Sequence, residues 1–199
     1  MFWALTAAAA ENKASGTETE KSDTADRNDS DIIAKLGQRI AKVWRKGKNE
    51  FYLPVYTWHN RFMYKAGTTQ KYNELPWGAG VGKSHIDEDG DEHVLSAMIF
   101  LDSNYKLEPI TSYAFIKNYY QNKANETSLG VGYSLNVTGR HEFYPVKIQG
   151  RSVPLYLPAP LPLPAFSFRY KQFSVLASYV PERWDHGNVL FLVCRYTFK

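Results

Sequence analysis

The sequence predicts an all-β fold, an eight-stranded antiparallel transmembrane β-barrel preceded by an N-terminal amphipathic α-helix. Three observations carry that expectation. Apolar residues alternate with small or polar ones at period two in several runs after residue 51. Turn signals divide this region into an even number of strands, which closes naturally when one face of each strand is apolar. Aromatic residues make up 15% of the chain, with 14 Tyr and 5 Trp, as in barrels whose amphipathic rings belt both membrane interfaces.

Composition sets outer bounds. A chain of 199 residues is long enough for one domain with its own core. The formal charge of +4 is concentrated in one N-terminal segment, so no nucleic-acid partner is expected. Cys194 is the single cysteine, which leaves no intrachain disulfide and no thiolate cage. No apolar run approaches the ~20 residues of a spanning helix, whereas strand alternation is compatible with the mean hydropathy of −0.43.

Taken in order, residues 1–28 read as a leader remnant, MFWALTAAAA, followed by a polar disordered segment. A plain disordered tail fits the first ten residues equally well. Residues 29–47 form the helix. Ser30 or Asp31 caps it, Ile33, Leu36, Ile40, Val43 and Trp44 recur at three- and four-residue spacing, and Gly47 ends it. Lys35, Arg39, Lys42, Arg45 and Lys46 occupy the other faces. Periodicity leaves open whether the helix lies on an anionic membrane surface or packs on its own domain.

Residues 51–199 form the barrel domain, with strands expected at 51–64, 72–85, 92–102, 107–119, 128–139, 143–152, 169–180 and 188–198. The clearest alternation sets Leu129, Val131, Tyr133, Leu135 and Val137 against Gly130, Gly132, Ser134, Asn136 and Thr138. Leu75, Trp77, Ala79 and Val81 alternate in the same way with Pro76, Gly78, Gly80 and Gly82. The run Pro154–Pro164 is expected to be a loop, or a place where strand pairing fails, because proline donates no ladder hydrogen bond. Two proteins share this pattern. A soluble lipocalin-like carrier turns its apolar face inward around a ligand, and a membrane barrel turns it toward lipid. Glycine-rich inner faces favour the second, since a narrow barrel needs small residues inside.

The motif Trp58-His59-Asn60-Arg61-Phe62 begins a more specific likeness. It continues through Tyr72-Asn73-Glu74-Leu75-Pro76-Trp77-Gly78-Ala79-Gly80, Ile86-Asp87-Glu88 and Ala97-Met98-Ile99-Phe100-Leu101-Asp102-Ser103. It resumes at Leu107-Glu108-Pro109-Ile110, Leu129-Gly130-Val131-Gly132-Tyr133, Val137-Thr138-Gly139-Arg140 and Gly187-Asn188-Val189. Any one of these is weak, but the ordered set from about residue 29 to the end resembles the PagP family of lipid A palmitoyltransferases.

The resemblance implies an integral barrel in the Gram-negative outer membrane. It would move a palmitoyl chain from the sn-1 position of a glycerophospholipid donor to a hydroxyacyl chain of lipid A, the lipopolysaccharide anchor. The family's essential histidine and Asp-Ser pair match His59, Asp102 and Ser103. Pro54, Pro76, Pro164 and Pro181 match positions where missing backbone donors open the barrel wall to lipid. Extra residues between His141 and Leu163 depart from the family pattern beside one of these openings. Ala114 stands where the family has glycine at the floor of an acyl-measuring pocket, so a chain slightly shorter than palmitate is expected unless space is made elsewhere. A monomer is expected, with no cofactor and no metal.

Acyl transfer between oxygens needs a base, hydrogen-bond donors for the oxyanion, and exclusion of water. Histidine suits the base, Ser103 suits a nucleophile or a donor, and Asp102 suits a group that orients His59 or favours its protonated form. Adjacent residues on a strand point to opposite faces, so Asp102 and Ser103 would act together only from a loop. Direct transfer with His59 as base is the preferred expectation. Without the resemblance, His59 reads as a rim histidine and Asp102-Ser103-Asn104 as a turn, and a non-enzymatic outer-membrane barrel stays open. An ion pair between Asp87 and Arg140 is a further structural expectation.

Overall fold

The computed structural model describes residues 31–62, 64, 67, 69–138, 145–148, 151–154, 159–181 and 188–199. The chain separates into two compact units, Met1–Ala41 and Lys42–Lys199. Helix α1 occupies residues 31–46. It ends at Gly47, whose N–H donates to the Val43 carbonyl at 2.8 Å. A β-carbon on Gly47 would sit 2.4 Å from that same oxygen, so the residue at the helix end must be glycine for reasons of space. Within the second unit Val43 is buried, and Lys83 Nζ lies 5.9 Å over the Trp44 ring.

Ten strands follow: β1 (Lys48–His59), β2 (Gly78–Ile86), β3 (Glu92–Leu101), β4 (Leu107–Asn122), β5 (Thr127–Thr138), β6 (Pro145–Ile148), β7 (Arg151–Pro154), β8 (Ala159–Tyr170), β9 (Phe173–Pro181) and β10 (Asn188–Thr197). Among the described residues, eight of them close an antiparallel barrel in the order β1-β10-β9-β8-β5-β4-β3-β2, while β6 and β7 pair only with each other. The barrel and its strand number match the expectation. Its membership differs at one place.

The described residues of the segment expected as a barrel strand at 143–152 belong instead to β6 and β7, which pair only with each other, within the stretch that carries the extra residues. The barrel position passes to β8, which contains Pro160, Pro162 and Pro164. The physical reason is the spacing of those prolines. In an antiparallel ladder, alternate residues direct their N–H groups to the same neighbour. Prolines two apart therefore remove donors from one edge only. β8 keeps its pairing with β5 along Ala159–Tyr170, but pairs with β9 only along Ala165–Tyr170. From Ala159 on, the proline-rich run is a barrel strand with one edge disabled.

The inside–outside division follows the alternation. Trp77, Val81, Val131 and Val137 point outward and are exposed, as are Phe166 and Phe168. Their neighbours Gly80, Gly130, Ser134, Asn136, Ala165 and Ser167 are buried within. A soluble carrier that gathers its apolar face inward would show the reverse. Small inner residues are required by space: a β-carbon on Gly82 would lie 2.2 Å from the Leu95 carbonyl oxygen and 2.8 Å from Tyr52 Cε2.

The lower half of the interior holds a buried ionic cluster. Arg195 reaches Glu92 at 3.1 Å and Glu50 at 3.5 Å, and Arg169 pairs with Glu50 at 3.2 Å and also with Glu92. Ser84 and Thr197 donate to Glu50 at 2.6 and 2.8 Å. Above this cluster sit Tyr52, Val94, Met98, Ala114 and Val193, the buried apolar group.

Candidate active site

The site lies at the upper rim, where β1 ends, β3 turns into β4, and the 60–77 connection folds back. His59 is the last residue of β1 and is 2% exposed. Its Nε2 is 2.9 Å from Ser103 Oγ. Tyr72 stacks on the imidazole with centroids 4.7 Å apart, and Tyr64 meets it edge-on at 5.8 Å. These rings fix the plane of the imidazole and keep water from its faces.

Ser103 is presented by a turn, since β3 stops at Leu101. Asp102 builds that turn. Its Oδ1 accepts the backbone N–H of Asn104 and of Lys106, each at 2.8 Å, and its N–H donates to the Lys106 carbonyl at 2.8 Å. Tyr105 completes the reversal in the left-handed region at φ 59°. Off the strand, adjacent side chains are no longer forced to opposite faces, and Asp102 and Ser103 both line the cavity below. Asn73 ties this turn to the 60–77 connection: its N–H donates to the Ser103 carbonyl at 2.8 Å.

Among the described residues no hydrogen bond links Asp102 to His59. The carboxylate beside the other imidazole nitrogen belongs to Glu74, whose Oε1 is 3.7 Å from His59 Nδ1. Glu74 Oε2 accepts from Tyr56 Oη and from Arg61 Nη2, both at 3.0 Å, and its carbonyl accepts the Thr57 N–H at 2.9 Å. Sequence reasoning assigned Glu74 no role. It stands in the Tyr72-Asn73-Glu74 motif, but its distance to His59 depends on how the connection folds back.

From His59 and Ser103 a cavity runs down the barrel interior past Phe100, Met98 and Phe191 to Tyr52 and Ala114. Ala114 is 1% exposed and belongs to the apolar group that lines the cavity. The Tyr52 hydroxyl donates to Glu50 at 2.6 Å, so the charged cluster begins immediately under the apolar floor.

The barrel wall is discontinuous at two seams, both in the upper half. β1 pairs with β2 only along Lys48–Tyr52. Pro54 lies just above that limit, beside a bulge between Pro54 and Tyr56 in the pairing with β10, and Pro76 just precedes β2. Between β8 and β9 the ladder stops at Ala165. Pro164 is the next residue up, and Pro181 ends β9. Arg140, and with it the expected ion pair to Asp87, lies outside the described residues; Asp87 pairs with His93 Nε2 at 3.0 Å.

The model of a protein family described as "Antimicrobial peptide resistance and lipid A acylation protein PagP" matches residues 39–195. The chain belongs to the PagP family. A lipid A acyltransferase PagP of Photorhabdus asymbiotica is 42% identical over 192 residues, covering 96% of this chain and 87% of that one. The lipid A acyltransferase PagP of Bordetella pertussis is 41% identical, covering 81% of this chain and 82% of its own length. That of Yersinia enterocolitica is 35% identical, covering 92% and 85%. The matched PagP region includes the end of α1 and all the barrel strands except the end of β10.

Proposed function

We propose that this member of the PagP family is an outer-membrane acyltransferase of lipid A. It takes a palmitoyl or slightly shorter chain from the sn-1 position of a glycerophospholipid and esterifies a hydroxyl on an acyl chain of lipid A. Membership of the family and the closed barrel with its outward apolar face support the reaction class and the membrane setting. The observation that carries the reading is the 2.9 Å contact of His59 Nε2 with Ser103 Oγ at the mouth of an interior cavity. A base, a hydroxyl and a chain-shaped hollow meet at one place.

The reaction runs by direct transfer. The donor chain lies in the cavity with its ester at the rim. His59 Nε2 takes the proton of the lipid A hydroxyl as that oxygen bonds to the ester carbon. The tetrahedral oxyanion accepts a hydrogen bond from Ser103. The bond to glycerol oxygen then breaks, and that oxygen takes the proton from His59 as lysophospholipid leaves. The buried setting keeps water from competing. Asp102 contributes by holding the turn that presents Ser103. Lipids reach the site through the seams at Pro54 and Pro76 and at Pro164 and Pro181, and the protein acts as a monomer.

The same contact favours a second route, in which His59 deprotonates Ser103 and an acyl-serine forms before lipid A attacks. Ser103→Ala separates the two. Direct transfer predicts a rate loss of roughly 10²–10³ with residual turnover, as for a lost oxyanion donor. The covalent route predicts no turnover, and an acylated Ser103 when donor is supplied without acceptor.

The deciding experiment is mass spectrometry of lipid A from a strain lacking this chain, then expressing it or His59→Ala. An added acyl group with the wild type alone supports the proposal. Unmodified lipid A in both strains, with the barrel folded, overturns it.

A further inference from the structure

We propose that Glu74 is the positioning residue for His59, holding the proton on Nδ1 so that Nε2 faces Ser103 and the substrate as a free lone pair. The inference rests on His59 acting as the base. Four observations carry it. The Glu74 carboxylate stands 3.7 Å from Nδ1 on the side of the ring opposite Ser103. Both facing atoms, His59 Nδ1 and Glu74 Oε1, are buried and have no hydrogen-bond partner among the described residues. The other oxygen is fixed by Tyr56 and Arg61, each at 3.0 Å, so the carboxylate cannot swing away without losing two bonds. Finally, Tyr72 stacked on the ring leaves the imidazole little freedom to rotate out of plane.

Neutral imidazole carries one proton, and which nitrogen holds it depends on what each nitrogen faces. A carboxylate only accepts. A lone pair on Nδ1 aimed at Oε1 would set two electron-rich atoms against each other in a site sheltered from water. The Nδ1–H tautomer turns that repulsion into attraction even at 3.7 Å, a separation that shortens to a hydrogen bond by a small shift once the cavity is filled. The consequence is at the far side of the ring, where Nε2 is left unprotonated and able to take the acceptor's proton. When that proton arrives, the same carboxylate stabilises the imidazolium. Asp102 makes no hydrogen bond to His59 among the described residues, and its Oδ1 holds the Asn104 and Lys106 amides.

The test uses the full chain refolded in detergent, with ¹⁵N-labelled histidine, alongside acyl-transfer kinetics of wild type, Glu74→Gln and His59→Ala. The wild type is expected to show His59 as the Nδ1–H tautomer. Glu74→Gln is expected to lose roughly 10–100-fold in kcat, as for other partners that orient a functional histidine, with KM within about twofold. Its His59 signals should shift toward a mixture of tautomers, a change that a purely structural role would not produce. Heat-modifiable gel migration checks that each variant is folded. A wild-type His59 protonated on Nε2 overturns the proposal whatever the variants do. So does a folded Glu74→Gln with unchanged kcat while His59→Ala is inactive, which leaves the base assignment standing. Activity retained in His59→Ala removes both.

Discussion

Ala114 and Tyr52 both line the interior cavity, and on the proposed function they set its depth for different reasons. Ala114 contributes a methyl at a buried position flanked by Val94 on β3 and Ser134 on β5. Tyr52 is held by its hydroxyl on Glu50, whose neighbours are charged. An acyl tail cannot extend past this point without setting a methyl group against ions. Ala114→Gly should therefore deepen the cavity by about one methylene, worth ~0.8 kcal/mol and about a fourfold shift toward the longer chain. The acyl length on lipid A, read by mass spectrometry, checks this, and an unchanged distribution would mean that Tyr52 alone forms the stop. At this scale a motif marks His59 and Ser103 by type and order, and the fold brings the two side chains to 2.9 Å. Glu74 was not legible, since nothing in a linear motif says which carboxylate a returning chain will bring beside an imidazole.

The elements carry their own consequences. β8 survives its prolines because they are spaced by two, so its edge toward β5 stays intact. Pro162→Val with Pro164→Val returns two donors to the edge toward β9 and should extend that ladder upward. If this seam admits lipid, kcat/KM for bilayer-embedded substrate falls while the His59–Ser103 contact is untouched, and unchanged kinetics would close the seam as a route. The β2–β3 turn has a different sensitivity. Partial burial pushes the Asp87 carboxyl up, but the His93 hydrogen bond and the Asp91 and Asp89 amides outweigh it, and it rests below the ordinary carboxylate range. A depressed native value means that the unfolded chain binds the proton more readily. The turn's stabilisation is thus present above the ordinary carboxylate value and is lost as pH falls through the native one. Unfolding of the wild type should lose more stability on acidification than Asp87→Asn, measured by urea titration in detergent across that range. Acid loss of equal size in both would remove Asp87 from the account.

In the whole barrel, one ionic cluster joins distant parts of the chain. Glu50 on β1, Glu92 on β3, Arg169 on β8 and Arg195 on β10 meet in the interior, with Ser84 on β2 bonded to Glu50. Arg195, Glu50 and Glu92 are almost wholly buried. Removing Arg195 leaves two buried carboxylates to share the single Arg169 cation, so Arg195→Met should destabilise the barrel by about 3–5 kcal/mol, read from urea unfolding in detergent. A loss near zero would mean that water enters and solvates the remaining charges. What the sequence determined by itself was the barrel, its strand number, the outward apolar face, and the motif in which His59 stands. Each follows from period-two alternation or from a short ordered motif, both of which are local. Tertiary structure alone decided that β8, with its prolines, closes the wall while β6 and β7 pair only with each other. It decided too that Asp102 folds a turn while Glu74 faces the histidine. Those outcomes depend on which strand edge finds a partner and on where a loop returns, and long-range closure sets both.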